Sequence, residues 1–374
     1  MMTAGALSVE SHEVYFQRDH FAAWPANYGL WIWGDEVLVI FADGKVGSQG
    51  PLHARDEDHP FRPKQARSLD GGQTWVVEDF RGAVPGGETL SADEHVVSGL
   101  RSGSVLLDDV AFLETLSAPI DFTDPEMIVM AARTGIHADA RSWFYFSRNR
   151  GRQWNGPYSF NGLSLTGVAA RTDIVALSPH HALFMLSCAK LNGLEGRAFC
   201  AESRDGGRTF SLKSFIADDE NGYSIMPSSA RLTDGTIITI IRRGYSEQRP
   251  GWLEGFRSND EGQSWHPLGR IVETTGHGGN PPALSVSPKD RLYLIYGVRD
   301  QPYGIRLKTS DDSGVTWSNE RIVRDNVILS DLGYARSSLR QDGKIICIYY
   351  LNNGHERFIE ASIVSDGGLG NLSK

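Results

Sequence analysis

The chain has 374 residues, 37 Lys+Arg against 46 Asp+Glu, and a formal net charge of -9. That balance excludes the basic surface that non-specific binding to nucleic acid or anionic membrane requires. With 40% hydrophobic and 22% charged residues, the chain is neither disordered nor membrane-embedded. Its 41 Gly, with 9 Trp, 12 Tyr and 16 Phe, favour many tight turns between aromatic-rich strands, an all-β chain.

The first residues, Met1–Phe16, show no basic stretch followed by an apolar one, so no secretory signal is expected. No run of about 18 apolar residues is present, so no membrane span is expected either. The default location is cytoplasmic, or periplasmic or secreted if a leader has been trimmed. The three cysteines, Cys188, Cys200 and Cys347, are too few for a disulfide framework. Cys188 and Cys347 sit in apolar runs and read as buried thiols. No metal-ligand spacing occurs, and no metal or cofactor is implied.

An internal repeat organises the chain, with the pattern Ser-x-Asp-x-Gly-x-Thr-Trp. Its copies run Ser68–Trp75, Ser203–Phe210, Ser258–Trp265 and Ser310–Trp317, and a degenerate copy runs Ser147–Trp154. The physics is that of a tight hairpin: Asp or Asn bonds back to nearby backbone N–H groups, and Gly supplies positive φ. These carboxylates therefore read as structural. The first serines are 79, 56, 55 and 52 residues apart, and a four-stranded propeller blade needs roughly 40–50 residues. Each repeat then marks one blade, and the first gap carries an insertion around residues 81–125.

In chain order, an N-terminal strand is expected at Glu13–Gln17. The fourth blade reads as Ala230–Asp234, Thr236–Arg242 and Trp252–Ser258. The fifth reads as Ala283–Pro288, Arg291–Arg299 and Gly304–Ser310. A last set reads as Ser337–Arg340, Lys344–Tyr350 and Arg357–Val364, with no repeat turn. The N-terminal strand would complete that set and close the ring, removing sheet edges. The expected architecture is a single domain over residues 1–374, a six-bladed β-propeller (about 12–365) closed by N- and C-terminal strands.

The repeat is that of Asp-box (BNR-repeat) proteins, and with the six-blade count the chain resembles the sialidase (neuraminidase) superfamily. Segments such as Trp31–Glu36, Ala66–Gly72, Ser224–Ser228, Gly279–Ala283 and Asp331–Tyr334 look like a sialidase-like bacterial branch. The resemblance implies a Tyr nucleophile activated by a Glu, an acidic Asp, and three Arg that clamp a substrate carboxylate. Guanidinium forks match a carboxylate bidentately, and a neutral nucleophile avoids repulsion by an anionic sugar.

Carried over by position, the nucleophile is Tyr334, eight residues before Asp342 of the last turn. The second arginine is Arg242, beside Arg243, and Arg299 stands nearest to the third. The chain departs elsewhere. Met226 stands where the activating Glu belongs, and Ala26–Leu30 holds no arginine, with Arg18 upstream. These losses argue against a sialic acid hydrolase and for an altered active site on a kept scaffold.

Several residues are therefore candidates for a site on the axis, where propeller loops converge. The loop Leu52–Pro60 holds His53, Asp58 and His59 as acid/base candidates beside Tyr334, because histidine titrates near working pH; a solvated surface loop is the alternative. Arg62, Arg171, Asp173, Arg242, Asn280, Arg299 and Arg336 are substrate-binding candidates; Arg171 with Asp173 reads equally as a structural ion pair. Asn27, Tyr28, His355 and Glu356 also reach axis positions. The expected activity is a sialidase-like glycoside hydrolase on a terminal, anionic sugar of a glycan. The alternatives are a polysaccharide lyase acting on a uronic-acid glycan and a non-catalytic glycan-binding propeller. The expected partner is carbohydrate, not nucleic acid or membrane; the sequence leaves the oligomeric state open.

Overall fold

The five repeated turns fold alike. In the first, the Asp70 carboxylate accepts the N–H groups of Gln73 at 3.0 Å and Thr74 at 2.9 Å, and the Thr74 hydroxyl at 2.6 Å. Ser68 Oγ accepts the Gly72 N–H at 2.8 Å. The hydroxyls of Thr209, Ser264 and Thr316 bond Asp205, Asp260 and Asp312 in the same way. In the degenerate copy Asn149 replaces the carboxylate and accepts the Gln153 N–H at 2.9 Å. The hydroxyl and N–H of Thr74 hold the Asp70 carboxyl well below the usual range. Burial works against Asp260, but the bonds from Ser264 outweigh it and bring the carboxyl to about 2. Gly72 has φ +97°, and a Cβ there would fall 2.4 Å from Ile346 Cδ1. Only glycine permits both the turn and this approach, so the turn seats directly on a neighbouring strand. Gly151 seats likewise on Leu38, Gly262 on Leu183 and Gly314 on Ile238. The last three of these turns brace one sheet against another, and the first braces two strand sets within one sheet.

A computed structural model describes residues 7–47, 52–56, 58–59, 61–85, 91–92, 101–102, 112–218, 221–246 and 249–366. Among them no α-helix occurs; the chain is all β apart from the 3-10 turn Pro25–Asn27. Four four-stranded sheets stand as separate blades. Three are antiparallel meanders, over Ile174–Ser178 to Ser211–Asp218, Tyr223–Arg231 to His266–His277, and Ala283–Val286 to Arg321–Arg324. The fourth joins Ile128–Thr134, Arg141–Ser147 and Asn155–Ser159 to the short strand Ser91–Ala92.

The expected six-bladed count is not what the fold has. Four blades are separate, and the first and last strand sets merge into one nine-stranded sheet. The joint is His20–Ala23, which pairs parallel to Arg357–Asp366 at Phe21↔Arg357 and antiparallel to Glu36–Lys45. This strand has four residues and no turn signal of its own, so its pairing on both sides is a tertiary outcome. The N-terminal strand runs Leu7–Tyr15, earlier than Glu13–Gln17, and pairs with Arg357–Asp366 from Leu7↔Asp366 to Glu13↔Glu360. Of the insertion, 86–90, 93–100 and 103–111 lie outside the described residues. Its later part packs Leu116 and Ile120 against Gly207, and the Ile120 N–H bonds Gly206 O at 2.9 Å.

Apolar packing at the joint supports the candidate site. Phe21, Trp24 and Phe61 form one buried aromatic cluster, with ring centroids 5.2 to 5.8 Å apart. Truncating a ring such as Phe61 costs about 3–5 kcal/mol. The three cysteines are buried and unpaired, and burial pushes the Cys188 thiol up to about 11 and Cys200 to about 12.

Asp173, buried just before Ile174–Ser178, accepts the Ser229 N–H at 3.0 Å and the Ser229 hydroxyl at 2.7 Å from the next sheet. Burial pushes its carboxyl up to about 6, although the Ser229 bonds and nearby Arg336 pull the other way. Its folded value thus exceeds the unfolded value of about 3.9. Stability from this group is full below pH ~4 and is lost as pH rises through ~6, by about 3 kcal/mol. Asp173→Asn, which keeps an acceptor for Ser229, is expected to remove this decline in a urea-midpoint series from pH 4 to 7; an identical slope in both proteins contradicts it. Asp260→Ala is expected to lower the urea midpoint by the equivalent of about 1–2 kcal/mol. An unchanged midpoint would deny the turn its bracing role.

Candidate active site

Four non-glycine residues adopt left-handed backbone around one spot: Trp24 (φ 61°), His53 (φ 53°), Met226 (φ 53°) and Tyr334 (φ 49°). Each such residue costs about 1–3 kcal/mol and persists only where its surroundings impose it. Met226 and Tyr334 occupy equivalent places. Each lies in a register shift of the first strand of its set, between Ile225 and Ser228 and between Gly333 and Arg336. The bulges re-aim the side chains that follow. Asn280 holds the second bulge: its Oδ1 accepts the Tyr334 N–H at 2.9 Å and its Nδ2 donates to Leu332 O at 2.9 Å. Gly333 permits the approach, because a Cβ there would fall 2.3 Å from Asn280 Oδ1.

Two arginines converge on Tyr334. Arg242 Nη1 donates to the Tyr334 hydroxyl at 3.2 Å and to Met226 Sδ at 3.5 Å, and its Nε donates to Gly278 O at 3.1 Å. Arg299 donates to Gly279 O at 2.9 Å and to the Tyr350 hydroxyl at 3.2 Å, and its guanidinium lies 5.6 Å from the Tyr334 ring centre. They are 6% and 2% exposed. Among the described residues, no carboxylate comes within 4.0 Å of either guanidinium. Burial disfavours the Arg242 cation, but the phenol groups of Tyr334 and Tyr223 outweigh it and keep the group protonated.

His53 completes the spot. Its ring meets Tyr334 edge-on at 5.7 Å and Trp24 at 5.3 Å, and Trp24 Nε1 donates to His53 Nδ1 at 3.1 Å. Beneath it lies Asp331, wholly buried, with Oδ1 3.5 Å from His53 Nδ1. Asp331 also accepts the Tyr350 hydroxyl at 2.6 Å and Arg357 Nε at 2.9 Å. Burial raises its carboxyl, but His53, Arg357 and Arg299 outweigh that and hold it below the usual range.

The structure therefore brings Tyr334, His53, Arg242, Asn280 and Arg299 together and leaves other candidates apart. Asp58, His59 and Arg62 are exposed; His59 Nδ1 pairs locally with Asp56 at 2.6 Å. Glu57 and Pro60 of that loop lie outside the described residues, and Arg18 is exposed. Arg171 donates to Asn27 Oδ1 at 2.9 Å and to Glu195 at 3.3 Å. Arg336 donates to Ala26 O at 2.7 Å and also to Thr172 O. Burial pulls Arg336 down to about 10 against the opposing charge of Asp173. Arg336 and Asp173 line a separate cavity of about 290 Å³, with Trp31 and Met127. His355 and Glu356 sit with Asp19 in a cluster whose ligand atoms lie within 4.8 Å of one another, the described group best able to hold a metal ion. Asp331, Trp24 and Tyr350 were not among the sequence candidates. An Asp beside Leu-Gly reads as a turn residue, and the available signals were its place three residues before Tyr334 and in the segment Asp331–Tyr334 that carries the resemblance.

No protein-family profile and no curated protein matches this chain. Solved structures do. A protein of unknown function from Dyadobacter fermentans superposes with a TM-score of 0.69 at 18% identity, over 96% of this chain and 99% of that one. The NanB sialidase from Streptococcus pneumoniae gives 0.61 at 13% identity, over 95% and 70%. An alpha-L-arabinanase from Penicillium chrysogenum complexed with arabinobiose gives 0.57 at 13% identity, over 95% and 97%. At these identities the likeness is one of fold alone, an all-β propeller arrangement.

Proposed function

We propose that this chain is a glycoside hydrolase acting on a terminal, anionic sugar of a glycan. The observation that carries the reading is the pair Arg242 and Arg299. Two buried guanidiniums face one tyrosine, and among the described residues no carboxylate is in pairing distance. Burying a cation without a counter-charge costs several kcal/mol, and an incoming carboxylate offsets that cost. In this reading Arg242 and Arg299 hold the sugar's carboxylate. Tyr334 faces the anomeric carbon as a neutral nucleophile, and His53 is the acid/base. Asn280 acts through Tyr334, whose bulge it holds. The glycosidases among the solved structures lend the fold to this proposal, and the chemistry rests on this chain's own residues.

Elimination at a uronic acid is the second reading. It is favoured by Met226, 2% exposed at the place equivalent to Tyr334. Among the described residues, no carboxylate bonds the Tyr334 hydroxyl, so histidine and tyrosine are the bases at hand, and elimination needs only a base plus a neutralised carboxylate.

A panel of oligosaccharides ending in uronic acids, deoxy-sugars or sialic acid tests both. Release from the uronic-acid or deoxy-sugar members is expected to exceed release from sialosides; a clear sialoside preference overturns the assignment. A product with a new carbon–carbon double bond selects elimination. Tyr334→Phe is expected to lower kcat at least about 100-fold. Arg242→Lys, which keeps the charge but loses the fork, is expected to raise KM about 10-fold or more. Unchanged kinetics in both variants would remove the proposed site.

A further inference from the structure

We infer that the turn Thr275–Asn280 is a positioning element that fixes Arg242, Arg299 and Tyr334 relative to one another. The turn ends the strand His266–His277, and its consequence for catalysis rests on the proposed anionic-sugar site.

The three groups come from three different sheets. Arg242 lies on Ile237–Gly244, Arg299 follows Leu292–Val298, and Tyr334 lies on Gly333–Leu339. The turn bonds all three. Gly278 O accepts Arg242 Nε at 3.1 Å, Arg242 Nη2, and the Tyr223 hydroxyl at 3.0 Å. The next carbonyl, Gly279 O, accepts Arg299 Nη1 at 2.9 Å. Asn280, the residue after it, bonds the Tyr334 N–H and Leu332 O. Because peptide groups are planar, two successive carbonyls are oriented by the φ and ψ of the residue between them. The relative placement of the two guanidiniums is therefore set at Gly279.

The turn is itself held on several sides. Thr275 Oγ1 accepts the Asn280 N–H at 3.0 Å and donates to Gly251 O at 3.3 Å. The N–H groups of Gly279, Gly278 and Arg299 bond Gly276 O at 2.9 Å, Arg249 O at 3.1 Å and Thr275 O at 2.9 Å. Gly278 and Gly279 are both left-handed, at φ 67° and 73°, a succession that glycine alone adopts readily. A Cβ on Gly279 would fall 3.2 Å from Arg242 Nε and from Gly251 Cα, and 3.3 Å from the Tyr223 hydroxyl. A side chain there presses on Arg242 and turns the dihedrals that carry Arg299. Gly269, on the same strand, is the contrasting case: φ is 85°, and a Cβ would meet nothing within 4 Å. Alanine meets a similar backbone penalty at either position, and only at Gly279 does it reach the arginines.

Nitrogen-15 NMR of the arginine-labelled full chain reads the two Nε–H groups, assigned with Arg242→Lys and Arg299→Lys. Both guanidiniums are buried, which slows exchange with water. Gly279→Ala is expected to shift both signals, and Gly269→Ala neither. A shift in neither signal, or in one alone, in a folded Gly279→Ala protein overturns the inference, and so does an equal shift in Gly269→Ala. If Gly279→Ala does not fold, Thr275→Val decides on the same signals, since it keeps the shape and removes the hydroxyl that closes the turn. Both signals are then expected to move, and two unmoved signals overturn the inference. On a uronic-acid substrate Gly279→Ala is expected to raise KM about 10-fold with a smaller fall in kcat, and Gly269→Ala to keep the wild-type values. An unchanged KM in Gly279→Ala denies the turn its role in substrate binding. A wild-type chain that turns over no anionic sugar defeats the proposed function, while the NMR shifts still decide the role of the turn.

Discussion

The ion pair between Asp331 and Arg357, 2.9 Å long with both side chains wholly buried, is the contact on which the site and the closure of the fold both depend. Arg357 is the residue at which His20–Ala23 joins the C-terminal strand, and its guanidinium lies over Phe21 of that same joint. Asp331 lies under His53 and binds Tyr350. Removing one partner of such a pair leaves a buried charge and costs about 3–5 kcal/mol. The pair earns its place by tying three chain segments, distant in sequence, into one geometry.

From that pair the electrostatics of the centre follow. Asp331 balances Arg357 and acts on Arg299, while among the described residues Arg242 bonds a carbonyl, a thioether and a phenol. The centre is thus cationic inside a chain whose net charge is -9. Two residues after Tyr334 on the strand Gly333–Leu339, Arg336 donates to the carbonyls of Ala26 and Thr172. Arginines that look alike in sequence therefore divide into those that brace strands and those that face Tyr334. The difference lies in the acceptors each one reaches.

Much of the local structure was legible in the residues. The Asp and Gly of each repeat dictate a turn by their own chemistry, and the structure shows those bonds. The position of Tyr334 could be found by counting back from a turn, because a strand of constant length separates the two. The pairing of His20–Ala23 could not, since a four-residue apolar strand is compatible with several edges. The count of six separate blades failed at that joint, where two expected units share hydrogen bonds. The loop around His53 offered three acid/base candidates of equal standing, and only the contacts with Trp24 and Asp331 separate half-buried His53 from exposed Asp58 and His59.

The sequence by itself determined what short-range chemistry controls: an all-β chain, five bonded turns and the strands that flank them. Tertiary structure alone decided which sheets merge, which arginines face Tyr334, and that Asp331 lies beneath His53. Those outcomes depend on contacts between residues far apart in the chain, such as the 278 positions separating His53 from Asp331, and no local pattern encodes such a distance.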